Sequence, residues 1–452
     1  MEDFIVDIEN EILDQYVNDK SPRPWVIAFS GGKDSTMVLQ LVWNSLKKLP
    51  PNLRNRHIFV ICNNTLVENP IILRFVRDQL ELIRAAAVEQ SMPITVNHTT
   101  PSLQDTFWVN LIGRGYPAPN SIFRWCTDRL KIKPTTRYIQ EKVSSYGEVI
   151  ILLGTRKAES STRSRSMAKY EVKGRRLSKH VLPNAYVYAP IKNLMTDQVW
   201  EYLVEQESPW NSRIDDLIEL YKQSGDHDSS DVPFLYDKST PPSGNSRFGC
   251  WVCTVVREDR CMQGLIRSGE KWMETLKELR DFLAKTINRE DPNYEPEKYR
   301  MPVRRNFREG LGPYWPRWRK YILERLLITQ KVIQEEKPDI QLITDQELVT
   351  IQVIWDRDFI SEYSVAAIYN EVYGSEAKFV TTNKDISKEK ILLKEACHMN
   401  NSDYELINNL LRAQKNRILL MNKRGLQKDI ENILEEYLYP TFTDVYRKGN
   451  NQ

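Results

Sequence analysis

The sequence predicts an α/β fold: a parallel sheet with helices on both faces, followed by a mainly helical C-terminal region. Three observations carry that expectation. Short apolar, β-branched runs alternate with helix-like segments over the first 200 residues. A Ser-Gly-Gly turn closes the first of these runs, and beyond Cys261 helical periodicity takes over. The runs are continuously apolar rather than alternating, as strands buried on both faces must be.

The first strand is "PWVIAF" (24–29), and "STMVLQLVWNSLKK" (35–48) follows as a helix, with Met37, Val38, Leu41 and Val42 on neighbouring turns. "HIFVIC" (57–62) is the second strand and "NPIILRFVRDQLELIRAAAVEQ" (69–90) the next helix. "PITVNHT" (93–99), "EVIILLGT" (148–155) and "AYVYAPI" (185–191) complete the set of strands. In such a sheet ligands sit beyond the carboxyl ends of the strands. After about residue 208 the style changes, and "SGDHDSSDVPFLYDKSTPPSGNSRFG" (224–249) reads as a long loop. Helical periodicity covers 262–288, 315–336, 345–356 and 403–437. The expected organisation is therefore a sheet-and-helix domain over 1–208, a loop-rich cysteine segment over 209–265, and a helical region over 266–452.

Composition excludes several classes. With 41% hydrophobic and 28% charged residues, the chain is of the soluble globular type. The acidic, amphipathic start "MEDFIVDIENEILDQYV" has none of the parts of a signal peptide. No apolar run approaches the roughly 18 residues of a membrane span, so a cytoplasmic protein without membrane partners is expected. In that compartment the six cysteines are reduced, and clustered ones are ligands or catalysts rather than disulfides. The net charge of +3 hides two basic stretches. Nine Lys or Arg lie between Arg156 and Lys179 against Glu159 and Glu171. Eight lie between Lys298 and Lys320 against Glu309, with Tyr299, Phe307, Tyr314, Trp315 and Trp318 interleaved. That layout is expected of a polyanion binder; solvated loops and, in the second stretch, partly buried aromatics are the plainer reading.

"AFSGGKDSTMV" (28–38) is the sharpest local signal. Gly31 and Gly32 let consecutive N–H groups turn toward one anion. The helix that follows adds its own N–H groups and the positive end of its dipole. Lys33 supplies a point charge, and Ser30 and Ser35 supply hydroxyls. The pattern is not a Walker A loop, because GxxxxGK[ST] is absent. It resembles the SGGxDS loop of the adenine nucleotide alpha-hydrolase (HUP-type) superfamily. The resemblance implies that Ser30, Gly31, Gly32, Lys33, Asp34 and Ser35 hold the β,γ-pyrophosphate of ATP, with Mg²⁺, while a nucleophile attacks the α-phosphorus.

"FRWCTDRLKIKP" (123–134), "GTRKAESSTRSR" (154–165) and "APIKNLMTDQVWEYL" (189–203) resemble successive motifs of the phosphoadenylylsulfate (PAPS) reductase-like branch. Arg124, Lys131 and Lys133 bracket Cys126 with charge that favours a thiolate. Arg156, Arg163 and Arg165 can meet phosphate oxygens at the rim of the sheet. With Lys33 and Asp34 they are the residues expected to carry catalysis. Thr196 is expected to cap the helix that begins at "MTDQVW". One departure from the branch is "CNNTLVEN" (62–69), where PAPS reductases carry Asp-Thr-Gly.

"RFGCWVCTVVREDRC" (247–261) places thiols at Cys250, Cys253 and Cys261 and leaves a fourth ligand to be found. Within the PAPS reductase-like branch the stretch resembles the DndC family of DNA phosphorothioation proteins, most strongly over residues 20–265. In members of the branch that carry an iron–sulfur cluster, the position of Cys126 supplies a cluster cysteine, so it is the implied fourth ligand. Spacing alone leaves zinc and a [4Fe–4S] cluster both open. The family resemblance implies the cluster, an ATP-dependent sulfurtransferase role on DNA, and persulfide sulfur from a cysteine desulfurase. Partners of the DndD and DndE type are implied with it. Competing readings are a PAPS or adenylylsulfate reductase, a tRNA thiolase, and a DNA-binding scaffold with a structural cluster. Against the reductase, Cys397 in "KEACHMN" lacks the glycine of an ECGxH tail and lies far from the chain end. Cys62 is expected to be a core residue, and the five histidines show no ligand spacing.

Overall fold

The computed structural model describes residues 3–438 except 160, 173–174, 225–248, 306–307, 359, 361–362, 378–391, 399 and 420–425. These residues fall into two compact units. The first is Met1–Ser102 with Ala118–Lys285, and the second is Leu103–Pro117 with Thr286–Gln452.

The first unit is built on a six-stranded sheet. Its strands are β1 (Trp25–Ala28), β2 (Ile58–Asn63), β3 (Ile94–Thr99), β4 (Val149–Leu152), β5 (Ser178–Lys179) and β6 (Ala185–Tyr188). They lie in the order β3-β2-β1-β4-β6-β5. All pairings are parallel except that of the edge strand β5 with β6. The α/β expectation and the strands expected from periodicity are thus present, each within a few residues. The short β5 carried no apolar run and was not expected.

Both faces are covered. Val26, Phe59, Ile61, Val149, Ile151 and Ala185 point to one face and pack with Ile139, which lies on α4 (Lys133–Tyr146). On the other face Trp25 meets Tyr16 edge-on at 5.3 Å, and Tyr16 belongs to α1 (Asp3–Val17). The crossover helices α2 (Lys33–Lys47) and α3 (Pro70–Glu89) follow β1 and β2. The chain winds outward from β1 through β2 to β3, then returns to the other side of β1 with β4. The crevice of such a sheet opens where the winding reverses, at the carboxyl ends of β1 and β4.

The remaining helices of this unit are α5 (Ser161–Tyr170), α6 (Thr196–Glu205), α7 (Ile214–Ser224), α8 (Arg260–Arg267) and α9 (Met273–Lys285). The start of α6 differs from expectation. Met195 is the residue before the helix, and its N–H donates to the Gln198 side chain at 2.9 Å. Thr196 is already helical, so its hydroxyl is free of capping and serves elsewhere. The continuous helix read over 262–288 is interrupted, because Ser268 and Gly269 end α8 before α9 begins. The loop read over 224–249 lies almost wholly outside the described residues.

After Lys285 the second unit holds α10 (Pro296–Tyr299) and a hairpin of β7 (Arg300–Arg305) and β8 (Arg308–Tyr314). Then come α11 (Pro316–Glu336), α12 (Asp345–Arg357) and α13 (Val365–Tyr373). α14 (Asn401–Leu419) and α15 (Leu426–Leu438) follow. Thr344 and Glu347 form a reciprocal cap at the start of α12. The early segment Leu103–Pro117 belongs here: Trp108 Nε1 donates to Leu342 O at 2.8 Å, and Trp355 Nε1 to Ile112 O at 3.1 Å. Among the described residues no helix is long and apolar enough to cross a membrane.

Candidate active site

The site is built from the turn that follows β1. Phe29 extends the pairing with β2 through its N–H to Ile61 O at 2.8 Å. The chain then turns at Gly31, which has φ +75, a left-handed conformation that costs an L-residue roughly 1–2 kcal/mol. A Cβ at Gly31 would also lie 2.5 Å from Val76 Cγ2. Ser35 ties the turn together: its hydroxyl donates to Gly32 O at 2.9 Å and accepts from Ser30 N–H at 3.2 Å. Thr36 Oγ1 donates to the same Gly32 carbonyl at 3.0 Å. Gly32 precedes α2 without a side-chain cap. The first N–H groups of such a helix have no intrahelical acceptor and face the position an anion would take.

The turn after β4 closes against this loop. A Cβ on Gly154 would stand 2.8 Å from both C and O of Asp34 and 3.0 Å from Ser35 N. Only glycine lets these backbones meet so closely. Two residues on, Arg156 is 2% exposed and donates from Nε to Asp34 Oδ1 at 2.6 Å. Its Nη1 donates to Leu194 O at 3.3 Å and Thr196 Oγ1 at 3.2 Å. The arginine expected at the phosphate rim is therefore turned inward. It joins the loop, the end of β4 and the start of α6.

Lys33 keeps its ammonium 3.5 Å from Asp34 Oδ2 and 5.3 Å from the centroid of the Tyr221 ring. Its N–H donates to the Tyr221 hydroxyl at 3.3 Å. Tyr221 lies on α7 and was not singled out by the sequence; an amphipathic helix with one aromatic carries no signal for it. Arg165 is exposed on α5, and the side chain of Arg163 lies outside the described residues. The basic stretch is partly spent on internal pairs. Lys157 pairs with Glu171 at 3.9 Å, and Arg176 pairs with Glu11 and Asp14 at 3.2 and 2.8 Å.

The cysteine stretch is fastened to the carboxyl end of β2. Asn69 N–H donates to Gly249 O at 3.3 Å, and Trp251 N–H to Val67 O at 3.1 Å. Glu68 and Cys250 form an antiparallel bridge. Thr65 Oγ1 stands 3.3 Å from Cys250 Sγ and donates to Glu68 Oε1 at 2.8 Å. The turn that departs from the PAPS reductase pattern is thus the one that seats Cys250. Arg280 holds the following loop from below, donating to the carbonyls of Cys253, Val256 and Arg257. Thr254 Oγ1 donates to Pro119 O at 2.5 Å, fixing the loop that leads to Cys126.

Burial dominates the titration of Cys126 and Cys250. Burial, then the charge of Cys253, raises the Cys126 thiol above its ordinary value. Burial, then Glu68, pushes Cys250 up to about 12, while Lys131 works against the rise. Desolvation opposes the Lys131 ammonium, but Cys250, Glu68, Cys253 and Cys126 outweigh it and raise its pKa. The expectation that nearby basic residues make Cys126 a ready thiolate is corrected: burial dominates. Cys261 is buried in the first turn of α8, behind the Asp259 cap. None of the six cysteines is in a disulfide. Cys126, Cys250 and Cys253 supply the soft donors that a thiolate-held metal or cluster needs. Among the described residues, however, no group of three or more His, Cys, Asp or Glu side chains stands close enough to hold a metal ion.

The basic-aromatic stretch of the second unit is largely structural where it is described. Trp315 and Trp318 donate their indole N–H groups to Glu297 O and Lys298 O, at 2.9 and 2.5 Å. Arg300 is spent on the carbonyls of Gly312 and Leu311, and Arg319 on those of Tyr314 and Gly113. Arg317 is exposed, 5.8 Å over the Trp315 ring. The side chains of Arg304, Arg305 and Arg308 lie outside the described residues.

Comparison with known proteins bears on this site. The chain is 25% identical over 268 residues to an uncharacterized protein of Methanocaldococcus jannaschii, covering 58% of this chain. It spans only 43% of that relative. Among solved structures, a PAPS reductase from Candida auris in complex with phosphate shares 15% identity at TM-score 0.29, covering 46% of this chain and 83% of that one. The U34-tRNA thiolase NcsA from Methanococcus maripaludis, with its [4Fe-4S] cluster, shares 14% at TM-score 0.30, covering 63% and 80%. Likeness at that level does not carry a function across. The phosphoadenosine phosphosulfate reductase domain model, by contrast, matches residues 24–256, from the first strand through the cysteine pair. That match covers more than half of the 452 residues, and the chain belongs to the phosphoadenosine phosphosulfate reductase domain family.

Proposed function

We propose that the chain is an ATP-dependent sulfurtransferase component of DNA backbone phosphorothioation. The observation that carries this reading is the glycine loop Ser30–Ser35 at the switch point of the sheet, in the same unit as Cys126, Cys250, Cys253 and Cys261. In the proposed reaction ATP places its β- and γ-phosphates, with Mg²⁺, on the loop. A non-bridging oxygen of a DNA phosphate attacks the α-phosphorus, the bond to the β-phosphate oxygen breaks, and pyrophosphate leaves. The adenylated phosphate is then an activated phosphoric anhydride. The terminal sulfur of a cysteine persulfide on a cysteine desulfurase attacks the DNA phosphorus and AMP leaves. A second thiol then attacks the desulfurase sulfur of the S–S bond, leaving sulfur on the DNA phosphorus and a disulfide between the two thiols.

The chain's own residues position and stabilise in this scheme. The first-turn N–H groups of α2 and the Lys33 ammonium stabilise charge on the departing pyrophosphate. Asp34 and Arg156 keep the loop in register with β4. Arg163 and Arg165 on α5 are assigned to phosphate contact at the rim. In the same reading Cys126, Cys250, Cys253 and Cys261 would have to converge to hold a [4Fe–4S] cluster, which would supply redox or sulfur-handling chemistry. DNA and proteins of the DndD and DndE type are the proposed partners.

The test is a reconstitution under anaerobic conditions with DNA, ATP, cysteine and a cysteine desulfurase, followed by nuclease digestion and mass spectrometry. Phosphorothioate-linked dinucleotides are expected, and they should be lost with Lys33→Ala. Thiolated nucleosides from added tRNA, or sulfite from adenylylsulfate, would instead assign the loop to base thiolation or to reduction.

A further inference from the structure

We propose that Tyr221 is a phosphate-responsive latch on the glycine loop, holding the Lys33 N–H when the loop is empty and yielding it to a phosphate oxygen. The inference rests on the reading of Ser30–Ser35 as a pyrophosphate site and adds a residue outside the loop that sets its affinity.

Lys33 has two groups to offer a phosphate, its backbone N–H in the first turn of α2 and its ammonium. Tyr221 engages both. The hydroxyl accepts from the N–H at 3.3 Å, and the ammonium lies 5.3 Å from the ring centroid. The ammonium is also 3.5 Å from Asp34 Oδ2, so in this arrangement it is held by the protein itself. The tyrosine is buried at 6% exposure and stands edge-on to Trp200 at 5.0 Å. The chain entering α7 is pinned by Trp210, whose indole N–H donates to Gln79 at 3.2 Å and whose ring lies 5.7 Å from Trp43. Tyr221 is therefore presented to the loop by a helix whose entry is anchored.

The exchange has a definite sign. An N–H at a helix start has no intrahelical acceptor, and leaving it buried and bare is costly. The phenol oxygen satisfies it, but at long range and as a neutral acceptor. A phosphate oxygen is a charged acceptor in the field of the helix dipole and makes the stronger bond. Phosphate must displace the hydroxyl to make it. The hydroxyl thus stabilises the empty loop and lowers its affinity for phosphate. A tyrosine that stayed in place and donated to the phosphate would act in the opposite direction.

The experiment is calorimetric titration of the full chain with inorganic pyrophosphate, wild type against Tyr221→Phe. Phenylalanine keeps the ring over Lys33 and against Trp200 and removes only the oxygen. The latch predicts that the variant binds pyrophosphate tighter, by roughly two- to tenfold. Equal or weaker binding would overturn the latch and leave the loop assignment standing. If wild type does not bind pyrophosphate at all, the loop assignment falls and the latch with it. Hydrogen exchange on the wild type gives a readout that needs no variant. Pyrophosphate should speed exchange in residues 214–224, and unchanged or slower exchange there would count against release of Tyr221.

Discussion

Asp34→Ala should lower the stability of the sheet unit by about 3–5 kcal/mol, the loss found when one partner of a buried ion pair is removed. The Arg156 side chain is 2% exposed and that of Asp34 is 18%, with Nε and Oδ1 2.6 Å apart. Without the carboxylate, the guanidinium keeps, among the described residues, Leu194 O and Thr196 Oγ1, two neutral acceptors. It remains a buried charge with no counterion among those residues. Adding Arg156→Met should recover much of the loss, because the charge that made the single change costly is gone. The check is chemical denaturation of the two variants and the wild type, followed by a probe within residues 1–102. A loss below about 0.5 kcal/mol, typical of an exposed substitution, would show that the pair does not brace the loop.

Gly154→Ala should be nearly as damaging to activity while sparing most of the fold. The added methyl would sit 2.8 Å from the carbonyl carbon and oxygen of Asp34 and 3.0 Å from Ser35 N. All three are backbone atoms of the first turn of α2, so no side chain can swing aside. The turn must move away from β4. Overpacking of this kind costs about 1–3 kcal/mol in stability. Displacing aligned phosphate donors by a fraction of an ångström to an ångström can cost about 10²-fold in turnover. Steady-state ATP turnover and a thermal unfolding curve on the same preparation separate the two effects. Wild-type turnover in a folded Gly154→Ala protein would mean that the α2 turn does not position phosphate.

The centre of the sheet was legible because β1, β2 and β4 are buried on both faces and therefore read as unbroken apolar runs. Val26 and Trp25, facing opposite ways, must both be hydrophobic. The loop was legible because its glycines and serines have one economical use after a strand. What sequence does not carry is the pairing of distant charges. Arg156 reads as one basic residue among nine, and its inward course depends on Asp34, 122 positions away. The same limit applies to Cys126. Its basic neighbours are visible in the chain, whereas the burial that raises its pKa is a property of packing. Thr196 reads as a cap because its residue type favours one, but Gln198 reaches back and starts the helix one residue earlier. The hairpin at Arg300–Tyr314 was hidden by its composition, since basic residues and glycine mask the alternation that marks a strand. Leu103–Pro117 joined the second unit through indole hydrogen bonds that span more than 200 positions, beyond any local pattern.

In the proposed reaction the Ser30–Ser35 loop splits ATP between its α- and β-phosphates when DNA is present. Exchange of radiolabelled pyrophosphate into ATP by the purified chain, assayed anaerobically with and without DNA, measures that step directly. DNA-dependent exchange that is abolished by Lys33→Ala is expected. Exchange undiminished in the Lys33→Ala protein would remove the loop from the chemistry.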